Sequence, residues 1–190
     1  MPDTGAPWNI PYVASSDLVK DWPTDSQELA EAIADGLDDA GLFVQAIQTV
    51  KTDTFSTTST SFTPVTGLTA SITPGAATNK VLIIAQVSLG STANGTALRL
   101  SGGNATNYVG AAAGNRIQAI IGGSSMSAND SQDAMTLVYL DSPATTSSTT
   151  YEVQLRVNSG TAYVNQSPTD VNSADYARGA SSITVLEVKA

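Results

Sequence analysis

Tyr151-Glu152-Val153-Gln154-Leu155-Arg156-Val157-Asn158 is the stretch that decides the fold. Its apolar residues fall on every second position, and polar ones fill the gaps. Side chains of a strand alternate between two faces, so this period of two predicts a β-strand with one face in a core and the other toward solvent. Met135, Leu137 and Tyr139 alternate in the same way upstream, as do Leu68, Ala70 and Ile72, which end at the turn-forming Pro74-Gly75. Val81 to Leu89 is almost continuously apolar, which predicts a strand buried on both faces. Asn94-Gly95 reads as a two-residue hairpin turn leading into Ala97-Leu98-Arg99-Leu100. Shorter strands are expected around Asn107–Gly110, Ile117–Ile121 and Tyr163–Asn165, and the chain closes on Ile183–Val188. Thr52–Thr63 is rich in Ser and Thr but carries Phe55 and Phe62, so it reads as strand and turn instead of linker. About eight short strands separated by turn residues make a mainly β chain, a β-sandwich of jelly-roll type in preference to a barrel.

The 41 residues before this body follow other rules. Pro2, Pro7 and Pro11 disfavour helix from Met1 to about Trp22, so this segment is expected as an extended arm. It holds both tryptophans of the protein, Trp8 and Trp22, together with Ile10 and Tyr12, large side chains that need a surface to cover them. A short α-helix follows, for which Thr24-Asp25-Ser26-Gln27 offers a capping box and Gly41 a stop. Leu29, Ile33 and Leu37 recur every fourth residue along one face, with acids elsewhere. So narrow an apolar stripe does not hold a helix alone; it has to pack on the body, on copies of itself or on a partner. The domain reading is therefore 1–41 for arm and helix and 42–190 for the sandwich.

Composition narrows the chemistry. The 190 residues are 41% hydrophobic and 13% charged, the range of a globular chain. There is no histidine and no cysteine, which removes imidazole bases, Ser-His and Cys-His relays, zinc sites and disulfides together. No stretch approaches the roughly 20 apolar residues of a membrane helix. The N-terminus lacks the basic and apolar regions of a secretory signal, so synthesis in the cytoplasm is expected. The net charge of −9 is lopsided: residues 1–41 hold nine acids and one base, hence −8, and the remainder eight acids and seven bases, hence −1. Nucleic-acid binding needs clustered Lys and Arg, so a direct nucleic-acid partner is not expected.

Smaller constellations carry little. Asn129-Asp130 with Asp133, and Asp170 with Asn172 and Asp175, gather oxygen ligands but miss the spaced acidic loop of a calcium site. The eight acids of the body lie in turn-like or exposed alternating positions, which argues against a carboxylate pair for glycoside cleavage. Gly102-Gly103 and Gly122-Gly123 lack the lysine of a phosphate loop and read as turns. The chain is read as non-enzymatic and without a cofactor.

Two stretches carry a family resemblance. Trp8-Asn9-Ile10-Pro11-Tyr12, with Ser16-Asp17-Leu18-Val19, Trp22-Pro23 and Gln27 to Ile33, resembles the N-terminal attachment segment of structural proteins from tailed phages of actinobacteria. Val50 to Ser56, Val65 to Leu68, Ile72-Thr73-Pro74 and Asn79 to Ile83 are similar to a β domain of phage tail-fibre and head-fibre or decoration proteins. The resemblance implies a location on the virion surface, a homotrimer, and a partner that is the major capsid protein or another virion structural protein. It further implies that Trp8, Ile10, Tyr12 and Trp22 dock the arm on the particle while Leu29, Ile33 and Leu37 pack the helix. A compact capsid decoration or head fibre is the leading expectation. The alternative is a minor tail or short tail-fibre protein that binds a host cell-surface glycan through loops around Gly102–Asn107 and Ser124–Asp133.

Overall fold

The computed structural model describes residues 22–39, 43–123 and 130–190. The chain divides after Leu42 into two units, each taken here by itself. In the first, one helix, α1, spans Trp22–Asp39. It starts two residues before the expected cap, because Pro23 is tolerated in a first turn, where its missing N–H would have had no partner. Trp22 thus opens the helix instead of closing the arm. Thr24 lies inside the helix, and the Gln27 amide donates forward to Glu31 Oε1 (2.8 Å), so the expected capping box does not form.

The described residues of the second unit form ten strands: β1 (Phe43–Lys51), β2 (Phe55–Thr57), β3 (Thr63–Ile72), β4 (Lys80–Ser91), β5 (Thr96–Ser101), β6 (Ile121–Gly123), β7 (Asp133–Asp141), β8 (Thr149–Arg156), β9 (Ala162–Val164) and β10 (Ser181–Val188). Every pair is antiparallel. One sheet runs β1-β10-β4-β9-β2, with β7 also on β4, and the other runs β3-β8-β5-β6. With β2 and β9, which pair with each other, set aside, the remaining eight strands pair first with last, second with seventh, third with sixth and fourth with fifth. That is one long antiparallel hairpin rolled into two sheets, the jelly roll expected from the sequence.

The core lies between the sheets. From β8 it takes Tyr151, Val153 and Leu155, followed by Val157, and from the facing sheet Val81, Ile83, Ala85, Val87, Ile183 and Val185, all without solvent exposure. Three elements differ from expectation. Asn94-Gly95 makes no hairpin, because β4 and β5 belong to different sheets; it carries the chain across the sandwich, with Asn94 bridged to Ser159 and Gly95 at φ +65°. Asn107–Gly110 is not a strand: a 3-10 turn, Ala105–Asn107, occupies its start, and only Ile121 of the Ile117–Ile121 stretch enters a strand. The third concerns the acids of the body, two of which, Asp141 and Glu187, are fully buried.

Gly102 shows how tightly the β5 end is closed. Its φ is +110°, and a Cβ there would overlap the Thr150 carbonyl oxygen on β8. We expect Gly102→Ala to destabilise the domain by about 3 kcal/mol, through backbone strain and overpacking, measured by thermal unfolding.

Candidate functional site

The apolar run of β4 is not buried on both faces. Val81, Ile83, Ala85, Val87 and Leu89 point into the core, whereas Ile84 is 36% exposed and Leu82 half-buried on the outer side. The excess hydrophobicity belongs to an outward surface, and neighbouring strands repeat it. Register sets Ala46 of β1, Leu186 of β10, Leu82 of β4 and Leu140 of β7 in one row across four strands. The next row is Gln48, Thr184, Ile84 and Val138, in which Gln48 Nε2 donates to Thr184 Oγ1 (2.9 Å). Val138 and Leu140 are 47% and 46% exposed, and Val188 is half-buried beyond Leu186.

The first row is apolar from end to end and about 14 Å wide at the spacing of adjacent strands. Neither row holds a charged residue. An outward sheet face ordinarily carries the polar half of the alternation, so a contiguous apolar patch on it is the candidate contact surface of the domain.

Polar side chains buried at the edges of the sandwich hold this face in shape. Glu187, between Leu186 and Val188, turns inward and accepts from Gln45 Nε2 (2.6 Å), Asn79 Nδ2 (2.6 Å) and the Gly75 N–H (2.7 Å). Burial alone would raise its pKa; these donors overcome that and hold it below the usual carboxylate range. Asp141, on the other side of Val81 in the same row, accepts from Tyr151 Oη (2.6 Å) and the Asn104 N–H (3.2 Å). Burial, then the Asp141 hydrogen bond, drives the Tyr151 pKa upward and keeps the phenol protonated. Asn165 does the same work beside β9: its Nδ2 donates to the Lys51 and Asp53 carbonyls (2.9 Å each), and it accepts from Ser181 Oγ (2.7 Å). These groups tie strand ends and turns to one another.

The residues singled out from sequence are placed unevenly. Trp8, Ile10 and Tyr12 lie outside the described residues. Trp22, Leu29, Ile33 and Leu37 lie in α1, with Leu29 half-buried and Ile33 44% exposed; the side chains of Trp22 and Leu37 fall outside the description. Gly102–Asn107, expected as a binding loop, is pinned: the Asn104 N–H is held by Asp141, and its Nδ2 donates to the Ser142 carbonyl (2.8 Å). Residues 124–129 of the other expected loop are outside the described set. Asp170 is paired with Arg178, and Asp175 accepts from Ser173 Oγ (3.2 Å). Among the described residues no three acidic side chains gather as metal ligands.

No protein-family model matches the chain, and no curated protein matches it in sequence. Among solved structures it is similar to the VP2 subviral particle of infectious bursal disease virus, at 14% identity and a TM-score of 0.33, over 76% of this chain and 41% of that one. A mutant VP2 of the same virus gives 10%, 0.35, 76% and 36%. The structure of its Gx strain gives 14%, 0.31, 77% and 38%. The chain thus spans less than half the length of each, and the jelly roll is defined by its own strand pairing.

Proposed function

We propose that the protein is a non-enzymatic structural component of a tailed-phage particle, a capsid decoration or head-fibre protein on the virion surface. The observation that carries this reading is the apolar stretch on the outer face of the larger sheet, built from Leu82, Ile84, Val138, Leu140 and Leu186, with Lys80 at its end. In the proposed assembly three copies bury these faces against one another, and the N-terminal segment attaches the trimer to the major capsid protein or another virion structural protein. Trp8, Ile10, Tyr12 and Trp22 fill pockets on that partner, and Leu29, Ile33 and Leu37 seal α1 against a neighbour. Many such weak attachments sum through the symmetry of the particle.

Two features of the sequence support the division of labour. The acidic charge is concentrated in residues 1–41, and so are both indoles, which suits a segment made for a foreign surface. The body, near neutrality, supplies a rigid sandwich.

Mass-spectrometric stoichiometry of intact particles tests the location: copies in the hundreds place the protein on the capsid, whereas a handful would place it on the tail and overturn the decoration reading. Attachment is tested separately. Removing residues 1–24 is expected to abolish association with particles while the body stays soluble, and retained association would refute the role given to the arm.

A further inference from the structure

The outer face of the smaller sheet has the opposite character. Ala97 faces Arg156, and Arg99 faces Gln154, in the β5–β8 register, so Arg99 and Arg156 lie diagonally on one side. Arg99 is engaged: its Nε donates to Gln154 Oε1 (2.8 Å), and its guanidinium lies 4.2 Å from the centre of the Phe62 ring. Arg156 is only 5% exposed, yet its partners are neutral. Its Nε donates to the Thr60 carbonyl (2.7 Å) and one terminal nitrogen to the Val157 carbonyl (3.2 Å). Among the described residues no carboxyl group stands within ion-pairing distance of it. No buried side-chain nitrogen among those residues lacks a partner, so the other terminal nitrogen keeps some exposure to the space beside it.

That space is a groove of about 360 Å³ lined by Gly95, Thr96, Asn115, Arg116, Arg156 and Asn158, among others. Arg116 brings a second guanidinium, whose own bond is to the Ala113 carbonyl (3.5 Å). None of the lining residues is acidic, and residues 124–129, which follow β6, contain no acid either. A nearly buried cation without a counter-charge is costly, and a low-dielectric wall strengthens its pull on an anion. A guanidinium fork fits a planar carboxylate best, while the amides of Asn115 and Asn158 offer donors and acceptors suited to hydroxyl groups. The volume falls in the range of small-ligand sites. An acidic peptide side chain would use the two arginines and leave the amides idle.

We propose that this groove binds a carboxylate-bearing sugar of the uronic-acid kind, its carboxylate on Arg116 and Arg156 and its hydroxyls on Asn115 and Asn158. The site does not depend on where the protein sits on a particle, so its failure would leave the decoration reading intact.

Titration calorimetry on the full chain, with glucuronate, glucose, acetate and sulfate as probes, tests it. Glucuronate is expected to bind saturably and at least about tenfold more tightly than the other three, with Arg116→Ala weakening it by a similar factor at unchanged thermal stability. Arg156→Lys, which keeps the charge but loses the planar guanidinium and its anchoring bonds, is expected to weaken it as well. Equal binding of glucose would overturn the proposal, and so would equal binding of acetate or sulfate, which would mean a bare anion site. Unchanged affinity in Arg116→Ala would also overturn it.

Discussion

Glu187→Ala is expected to lower the stability of the β domain by about 3 kcal/mol, on the order of 10 °C in Tm. The carboxylate has no solvent exposure and is the common acceptor for Gln45 on β1, Asn79 before β4 and the Gly75 N–H in the turn between β3 and β4. Removing it takes an acceptor from three segments at once: Gln45 keeps its bond to the Thr73 carbonyl and the exposed Gly75 N–H can turn to water, but the buried Asn79 amide is left to bear the cost of an unsatisfied group. Glu187→Gln keeps one acceptor oxygen but sets an N–H against a donor, so a smaller loss of about 1–2 kcal/mol is expected. The same bonds fix the sign of the pH dependence. Because the folded-state pKa lies below its unfolded value, about 4.3, the contribution of Glu187 is fully present above that value and is lost as pH falls through the folded one. Acid titration of thermal stability should therefore be flatter in Glu187→Gln than in the parent protein between neutral pH and the acid limb. Parallel curves would mean that the carboxylate is not held in its ionised form.

If the trimer proposed above forms through this face, the double variant Ile84→Lys with Val138→Lys is expected to convert it to a monomer in sedimentation velocity runs, raising the dissociation constant at least about a hundredfold. The two residues are cross-strand partners at the middle of the apolar face, and both side chains point away from the core. Two charged heads placed there would have to be desolvated in any interface that covers the face. Since neither residue fills the sandwich, thermal unfolding of the separated chain should change by no more than about 0.5 kcal/mol per site. A variant that sediments as a trimer would move the interface elsewhere.

Strand existence was legible because one-sided burial writes a period of two into the sequence: β8 and β10 carry it in Tyr151-Val153-Leu155 and Ile183-Val185. Where both faces are apolar the signal is ambiguous. A continuous run such as Val81 to Leu89 fits equally a strand buried on both sides and one whose outer side is an exposed apolar surface; only the sheet to which it belongs separates them. A clue was nonetheless present. Leu82 and Ile84, Val138 and Leu140, and Leu186 and Val188 all sit at even positions, opposite in parity to the core residues of their own strands. Parity would likewise have placed Glu187 with Ile183 and Val185, and Asp141 with Leu137, on the inner face, instead of among exposed acids. Asn94-Gly95 misled for another reason. A tight turn fixes the local path of the chain, but whether the flanking strands pair is decided by partners distant in sequence, here β8 for β5 and β10 and β7 for β4. The arginine groove left no local signal, since Arg116 and Arg156 come to line one groove only through the fold.

The account stands on the outer face of the larger sheet being covered by a second copy of the same chain. The absence of native cysteine permits one spin label to be placed there without background, by Leu140→Cys and nitroxide attachment. Electron paramagnetic resonance of the labelled full-length protein at micromolar concentration should show an immobilised nitroxide with dipolar coupling between copies, both lost when Ile84→Lys and Val138→Lys are added. A freely tumbling, uncoupled label in the otherwise native protein would contradict the claim.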